Sequence, residues 1–119
     1  MRAVEAFLAE LLGSPGTVGA VLADAVTGLE HGALGEHRPL GAGAELAELA
    51  ALVGEGLGAA GAAGELESVV ITTARHHQVV RLIPRQGDPL LLAVLLDRTR
   101  TNLALAIRRS TDEAEDLLA

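Results

Sequence analysis

The sequence lacks several residue types that whole classes of protein function require. It contains no cysteine, lysine, tyrosine or tryptophan, and only one phenylalanine, Phe7. Without cysteine there is no disulfide, no thiolate nucleophile and no cysteine-ligated metal site. Without lysine there is no Walker-type phosphate ligand and no Schiff base. The large aromatic side chains on which nucleic-acid bases stack are also missing, which argues against binding to single-stranded nucleic acid.

The residues that are present make an aliphatic and acidic chain. Sixteen acidic residues outweigh nine arginines to give a net charge of −7, and half of the 119 residues are hydrophobic. A chain of this charge is a poor partner for nucleic-acid phosphates. Its longest strongly apolar run, Leu90–Leu96, is far shorter than the roughly 20 residues of a membrane span. The first residues lack the apolar stretch of a signal peptide, so we expect none there. We expect a cytoplasmic protein with no membrane insertion, whose surplus of apolar residues is buried against a partner.

The hydrophobic pattern predicts three helices and five strands. Apolar residues at helical spacing mark the helices, and β-branched or alternating runs between turn residues mark the strands. The order α-β-β-α-β-β-β-α predicts an α+β fold, with helices flanking a five-stranded antiparallel sheet in one domain over residues 1–119. The predicted elements are a helix at 2–12, strands at 17–24 and 29–34, a helix at 44–62, strands at 66–73, 78–83 and 90–96, and a helix that begins after Thr99 or Thr101.

The helix predicted at 44–62 has a bulky face, a face of small residues and an acidic face. Each interior glycine costs about 1 kcal/mol of helix propensity relative to alanine, so this helix needs a compensating contact. We expect a second backbone to pack closely on the small residues, by analogy with the small-residue faces of membrane helices. The alternative is that the glycines reflect composition alone and that the helix ends near Gly54. The bulky face carries Leu46, Leu49, Val53 and Leu57.

Three segments of the chain resemble the roadblock/dynein light chain family, in its bacterial branch. They are Gly16–Asp24 followed by Thr27-Gly28-Leu29, then Glu65–Ile71, and then Pro89–Asp97 leading into the last helix. These are apolar patterns rather than a catalytic signature, and the resemblance extends over nearly the whole chain through the order and spacing of the elements. It implies the roadblock fold, which is related to that of profilin.

The resemblance also implies partners. Relatives of this kind form homodimers in which the central helix and the adjacent strand meet their symmetry mates, and the bacterial ones act with small Ras-like GTPases as activators, scaffolds or regulators. The chain departs from the family in its glycine-rich central helix and in the few β-branched residues after Gly28. The residues that the resemblance and the small-residue face together place at the dimer interface are Ala47, Ala50, Gly54, Leu57, Gly58, Gly61, Val69 and Ile71.

Motifs that resemble binding or catalytic sites stand in the wrong structural context. Gly56–Gly61 matches the dinucleotide pattern G-x-G-x-x-G, but a helix precedes it and a strand follows it, the reverse of what that motif requires. His76 and His77 are adjacent, so on a strand they point to opposite faces, and His31 and His37 lie elsewhere in the chain. No serine stands in a G-x-S-x-G elbow. We therefore expect no metal site, no cofactor and no catalytic residues.

The basic residues that cluster are Arg98 and Arg100, and Arg108 and Arg109. The simpler interpretation, which the sequence favours, is that they are solvated helix ends. The alternative, kept as a candidate partner contact, is that they meet an acidic partner or offer an arginine to a nucleotide phosphate. The sequence thus predicts a non-catalytic homodimeric interaction module that regulates or scaffolds a small Ras-like GTPase. One alternative is a ligand-sensing domain of the profilin-like or PAS/GAF-like kind, which would need a pocket with convergent polar groups. Another is a purely structural light chain.

Overall fold

The computed structural model describes the whole chain, Met1–Ala119, and confirms the predicted fold class. Three helices and five strands follow one another in the predicted order α-β-β-α-β-β-β-α, with two short 3-10 helices at Arg38–Leu40 and Arg98–Arg100. The elements are α1 (Val4–Leu12), β1 (Thr17–Asp24), β2 (Glu30–Gly35), α2 (Gly43–Ala59), β3 (Ser68–Thr72), β4 (His76–Ile83), β5 (Leu90–Asp97) and α3 (Leu103–Leu118).

The five strands form one antiparallel sheet in the order β2-β1-β5-β4-β3. Strand β5 is central, and every residue from Leu90 to Leu96 is buried, as its continuous apolar run predicts for a strand covered on both faces. Strands β2 and β3 are the two edges. An edge strand leaves one row of backbone N–H and C=O groups without partners in the sheet. Strand β3 therefore has such a row on the side that faces away from β4.

Each face of the sheet has its own hydrophobic core, because side chains alternate along a strand. On one face α1 and α3 cover Leu22 and Leu92 with Phe7 and Leu117. On the other face α2 covers the sheet, and its contacts are with β1 and β5, near the middle. The residues of the second core are Val21, Ala23, Leu40, Leu46, Ala50, Val80, Leu91, Ala93 and Leu95.

A close backbone contact fixes where α2 starts. Gly28 has a φ of 77°, and a Cβ added there would lie only 2.5 Å from the Cα of Ala44, so the turn between β1 and β2 touches the first turn of α2 directly. The backbone N–H of Gly43 also donates to Oε1 of Glu30 at 3.1 Å. These contacts hold the start of α2 against β2, and the C-terminal end of α2 extends away from them.

Several predicted element boundaries are wrong by a few residues. Strand β4 begins at His76, two residues before the predicted start at residue 78, because Thr73 and His76 already form a backbone hydrogen bond of 2.9 Å across the hairpin. The helix predicted at 44–62 ends at Ala59. The last helix is capped by Asn102, whose Oδ1 accepts from Leu105 N at 3.2 Å, and not by either threonine before it.

Candidate functional site

The second half of α2 makes little contact with the rest of its own chain and has no fully buried residue. All of the buried residues of this helix lie at or before Ala50, whereas Leu57 is 42% exposed. A Cβ added at Gly54, Gly56 or Gly58 would meet no atom within 4 Å. The contact that was expected to compensate for these glycines is therefore not an intramolecular one.

Some of the residues predicted to line the dimer interface are buried in the single chain, and others are at least partly exposed. Ala47 and Ala50 are each only 7% exposed, because the first half of α2 packs on β1 and β5, and Ala50 belongs to the chain's own core. They offer little surface to a partner, and their place at a dimer interface remains a prediction. Gly61 is also not on the helix, because it lies in the following turn with a φ of 79°.

The remaining predicted interface residues lie on the α2 side of the sheet, and none of them is fully buried. Val69 lies opposite Val80 on β4 and faces the α2 side of the sheet, as does Ile71, and both are half-buried. An open groove of about 440 Å³ lies between the end of α2 and the residues leading into β3. We call this surface the α2–β3 face, and it consists of Gly54, Leu57, Gly58, Val69 and Ile71.

Two of the four predicted partner-contact arginines lie together at one end of the sheet. The backbone N–H of Arg98 donates to the carbonyl oxygen of Arg75 at 3.0 Å, and its Nη1 donates to Thr73 O at 3.1 Å. Arg100 is in the same 3-10 helix as Arg98. We call Arg75, Arg98 and Arg100 the basic end. Arg75 was missed from the sequence, although the hairpin register that pairs His76 with Asp97 places it there.

The arginines of the basic end are exposed and unpaired. The only ion pairs in the chain join Arg2 to Glu10 and to Asp116, at 2.5 Å each. The nearby carboxylate of Asp97 accepts from the hydroxyl and the backbone N–H of Thr99, at 2.8 and 3.0 Å, and these bonds hold its pKa below the ordinary value. The charges of Arg100 and His76 lower that pKa further. The basic end can therefore meet an anionic partner without first breaking an ion pair.

The other two predicted contact residues lie apart on α3. Arg108 is exposed, whereas Arg109 is half-buried and its Nε is buried without a hydrogen-bond partner. One turn later, burial raises the pKa of Glu113 to about 7; the charge of Arg109 opposes this shift and that of Asp112 adds to it. Because Glu113 and Arg109 help to line a small cavity beneath α3 with Thr17, they belong to the packing of this helix on the sheet.

The histidines and the glycine motif are placed separately from these surfaces. His77 Nδ1 lies 2.7 Å from Thr72 Oγ1 across the β3–β4 hairpin, and its neighbour His76 points to the opposite face. No group of three or more histidine, aspartate or glutamate side chains could hold a metal ion. Gly56–Gly61 comprises the last helical turn of α2 and the first residues of the loop that follows, and no strand precedes it directly.

Comparison with known proteins identifies the fold. No protein-family model matches the chain, and no curated protein does. Solved structures do match. A roadblock/LC7 domain from Streptomyces avermitilis is 19% identical, with a TM-score of 0.79 over 98% of this chain and 95% of that one. The gliding protein MglB from Thermus thermophilus is 20% identical, with a TM-score of 0.73 over 93% of this chain and 82% of that one.

A further MglB structure, described as having a tetrameric arrangement, is 23% identical, with a TM-score of 0.76 over 98% of this chain and 85% of that one. The chain therefore has the roadblock fold, and the predicted resemblance is confirmed at the level of the fold. Two surfaces stand out on this fold, the α2–β3 face and the basic end. None of its helices has the length and hydrophobicity that crossing a membrane requires.

Proposed function

We propose that this chain is a non-catalytic, self-associating roadblock module that regulates or scaffolds a small Ras-like GTPase. The observation that carries the proposal is the uncovered α2–β3 face, beside a helix in which three glycines have open space around them. The fold supports it, because the resemblance to the bacterial roadblock proteins implies these partners. The similar MglB structure with a tetrameric arrangement supports self-association in particular.

Self-association explains the composition of α2. Three interior glycines at 54, 56 and 58 lower helix propensity by about 3 kcal/mol in total relative to alanine. A second copy of the helix, packed closely where Gly54 and Gly58 have no side chain, would offset that loss by burying Leu57. The free edge of β3 would lie beside its counterpart, and Val69 and Ile71 would extend the buried surface.

Docking to a GTPase uses a different part of the molecule, the basic end. A GTPase rearranges its switch segments around the γ-phosphate, so a protein that contacts those segments prefers one nucleotide state. Arg98 and Arg100 carry no ion pair and can bond to carboxylates or phosphate oxygens on such a surface. An arginine supplied in trans is an established way of stabilising the charge that develops during phosphoryl transfer.

Two measurements test the proposal. Light scattering of the purified chain at micromolar concentration should give twice the 12.2 kDa of one chain, and a monomer would exclude the first half of the proposal. Titration with a small Ras-like GTPase of the source organism, loaded with GDP or with a GTP analogue, should give different affinities for the two states. Equal affinities would leave only a scaffold role, and the absence of binding would exclude a GTPase partner.

A further inference from the structure

A second groove lies on the opposite side of the sheet from α2. It runs between the last turns of α3, the end of β4 and the residues that lead into β3, and its volume is about 460 Å³. Its walls include Leu66, Pro84, Ala114 and Leu118, and Leu118 is 37% exposed. The sheet is uncovered beside it, because Val70 on β3 faces the α3 side and is also 37% exposed.

The exposed charges around this groove are negative. Glu65, Glu67 and Glu115 line it, all three are exposed, and none is in an ion pair. The one cation in the lining is Arg81, which donates from Nε and Nη2 to Ser110 Oγ at 3.1 and 2.8 Å. We call this surface the acidic groove, since the lining carries three carboxylates and one guanidinium that is already held by a neighbour.

We propose that the acidic groove binds a basic amphipathic segment of a partner protein. Apolar side chains of that segment would pack on Leu66, Ala114 and Leu118, and its lysine or arginine residues would pair with the three carboxylates. Charge complementarity selects this occupant, because like charges would repel an anionic lipid surface, a nucleic acid or an acidic peptide. The chain cannot fill the groove itself with its basic end, since Arg75 and Arg98 lie at the opposite end of β4 from Pro84.

The acidic groove adjoins the proposed dimer face and is remote from the proposed GTPase contact. Glu65, Leu66 and Glu67 also line the groove at the end of α2, whereas the basic end lies at the other end of the sheet. Failure of the acidic groove to bind a basic segment would still leave the light-scattering and GTPase experiments unaffected, because neither of them measures peptide binding.

A labelled peptide tests the proposal directly. The probe is a fluorescein-labelled amphipathic peptide of leucine and lysine with about 12 residues, enough for three helical turns. Its binding to the full chain is measured by fluorescence anisotropy at two salt concentrations. We expect saturable binding that weakens with salt, because exposed charge pairs are screened. No saturable binding at about 100 μM protein, the range of weak but specific contacts, would overturn the proposal.

Matched charge variants separate the groove from the general acidity of the chain. A triple substitution Glu65→Gln, Glu67→Gln and Glu115→Gln should weaken peptide binding about tenfold, as three exposed pairs of roughly 0.5 kcal/mol each predict. The control removes the same charge from exposed positions elsewhere, and should change the affinity less than about twofold. Equal losses in both variants would contradict a specific site. The control substitutions are Glu5→Gln, Glu48→Gln and Glu55→Gln.

A steric variant tests the apolar half of the same site. Ala114→Trp places a large side chain in the groove and should abolish peptide binding, while circular dichroism and the mass by light scattering show that the chain remains folded. If it does not fold, Leu118→Gln at the exposed end of the groove replaces it and should weaken binding severalfold. Unchanged affinity in a folded variant would overturn the proposal. So would a self-association of the unlabelled chain that Glu115→Gln alone abolishes, because the occupant would then be a second copy and Glu115 lies only in the acidic groove.

Discussion

The backbone N–H of Arg98 donates to the carbonyl oxygen of Arg75 at 3.0 Å and so joins the β3–β4 turn to the segment that enters α3. The guanidinium of Arg98 reinforces this junction through Thr73 O at 3.1 Å. Two arginines that are far apart in the chain thereby lie side by side in a protein whose net charge is −7. The basic end is thus a product of the hairpin geometry, and its role can be tested without disturbing either core.

Neutralising the basic end should weaken GTPase binding. The double variant Arg98→Gln and Arg100→Gln removes two exposed charges, each worth about 0.5 kcal/mol at a protein surface, so we expect a two- to tenfold loss of affinity in calorimetric titration. The loss should diminish at high salt. Arg85→Gln provides the control, since Arg85 is exposed in the β4–β5 turn at the other end of the sheet. An equal loss of binding free energy per charge removed in the control would mean that total charge, and not this surface, sets the affinity.

A large side chain in the open space beside α2 should weaken the proposed dimer. Gly58→Leu places a side chain on the α2–β3 face and should destabilise self-association by about 1–3 kcal/mol through overpacking. The same substitution at Gly56 lies on a different side of the helix and should leave the dimer intact. Both replace glycine in a helix with open space around it, so both should raise the free energy of unfolding of the monomer by up to about 1 kcal/mol.

Sedimentation equilibrium over a range of concentrations measures the first effect, and urea unfolding measures the second. If the Gly56 and Gly58 variants weakened the dimer equally, the small-residue face would not be the interface. If neither changed the dissociation constant, the two chains would meet elsewhere.

The partly buried carboxyl of Glu113 should make stability depend on pH. Burial raises its pKa from 4.5 to about 7 in the folded chain, so the folded state binds a proton between these values that the unfolded state has already lost. The associated stabilisation is complete below pH 4.5 and is lost as the pH rises through 7. Because the side chain is still partly solvated, we expect a loss of about 1–2 kcal/mol between about pH 5 and 8.

The variant Glu113→Gln should remove this slope, and its free energy of unfolding should exceed that of the wild type at about pH 8. Urea unfolding at acidic, near-neutral and mildly alkaline pH provides the measurement. Glu115→Gln makes the same change at an exposed position on the same helix and should keep the wild-type slope. A wild-type stability that rises over this pH range, with no difference in the Glu113 variant, would contradict the assignment.

The fold could be predicted from the sequence because its strongest patterns are local. The run Leu90–Leu96 predicts a central strand, and the spacing of Phe7, Leu8 and Leu11 predicts the buried face of α1; the structure confirms both. The extent of the candidate site along α2 was harder to predict from the sequence. Helical periodicity indicates which residues share a face of the helix, but it does not indicate at which residue the helix loses contact with the sheet. Ala50 and Gly54 are one turn apart, yet Ala50 is in the core whereas Gly54 is only half-buried, with open space where a side chain would be.

The acidic groove could not be predicted from the sequence, for a related reason. Its walls come from three segments, at 65–67, 81–84 and 111–118, which only the packing of α3 on β4 brings together. None of these segments carries a motif, and their glutamates have the pattern of an ordinary solvated surface. The same holds for the hydrogen bonds between Arg81 and Ser110, whose partners are 29 positions apart in the chain.

Phe7 should contribute more to stability than any exposed apolar residue. It is 1% exposed and lies in the core formed by α1, α3 and the sheet, together with Leu92 and Leu117. Phe7→Ala leaves a cavity that the neighbouring leucines cannot fill, so we expect the free energy of unfolding to fall by about 3–5 kcal/mol. Leu52→Ala, at a position 68% exposed on α2, should change it by less than about 0.5 kcal/mol. Urea unfolding of both variants decides the matter, and a loss below about 1 kcal/mol at Phe7 would show that α1 is not packed on the sheet in solution as it is here.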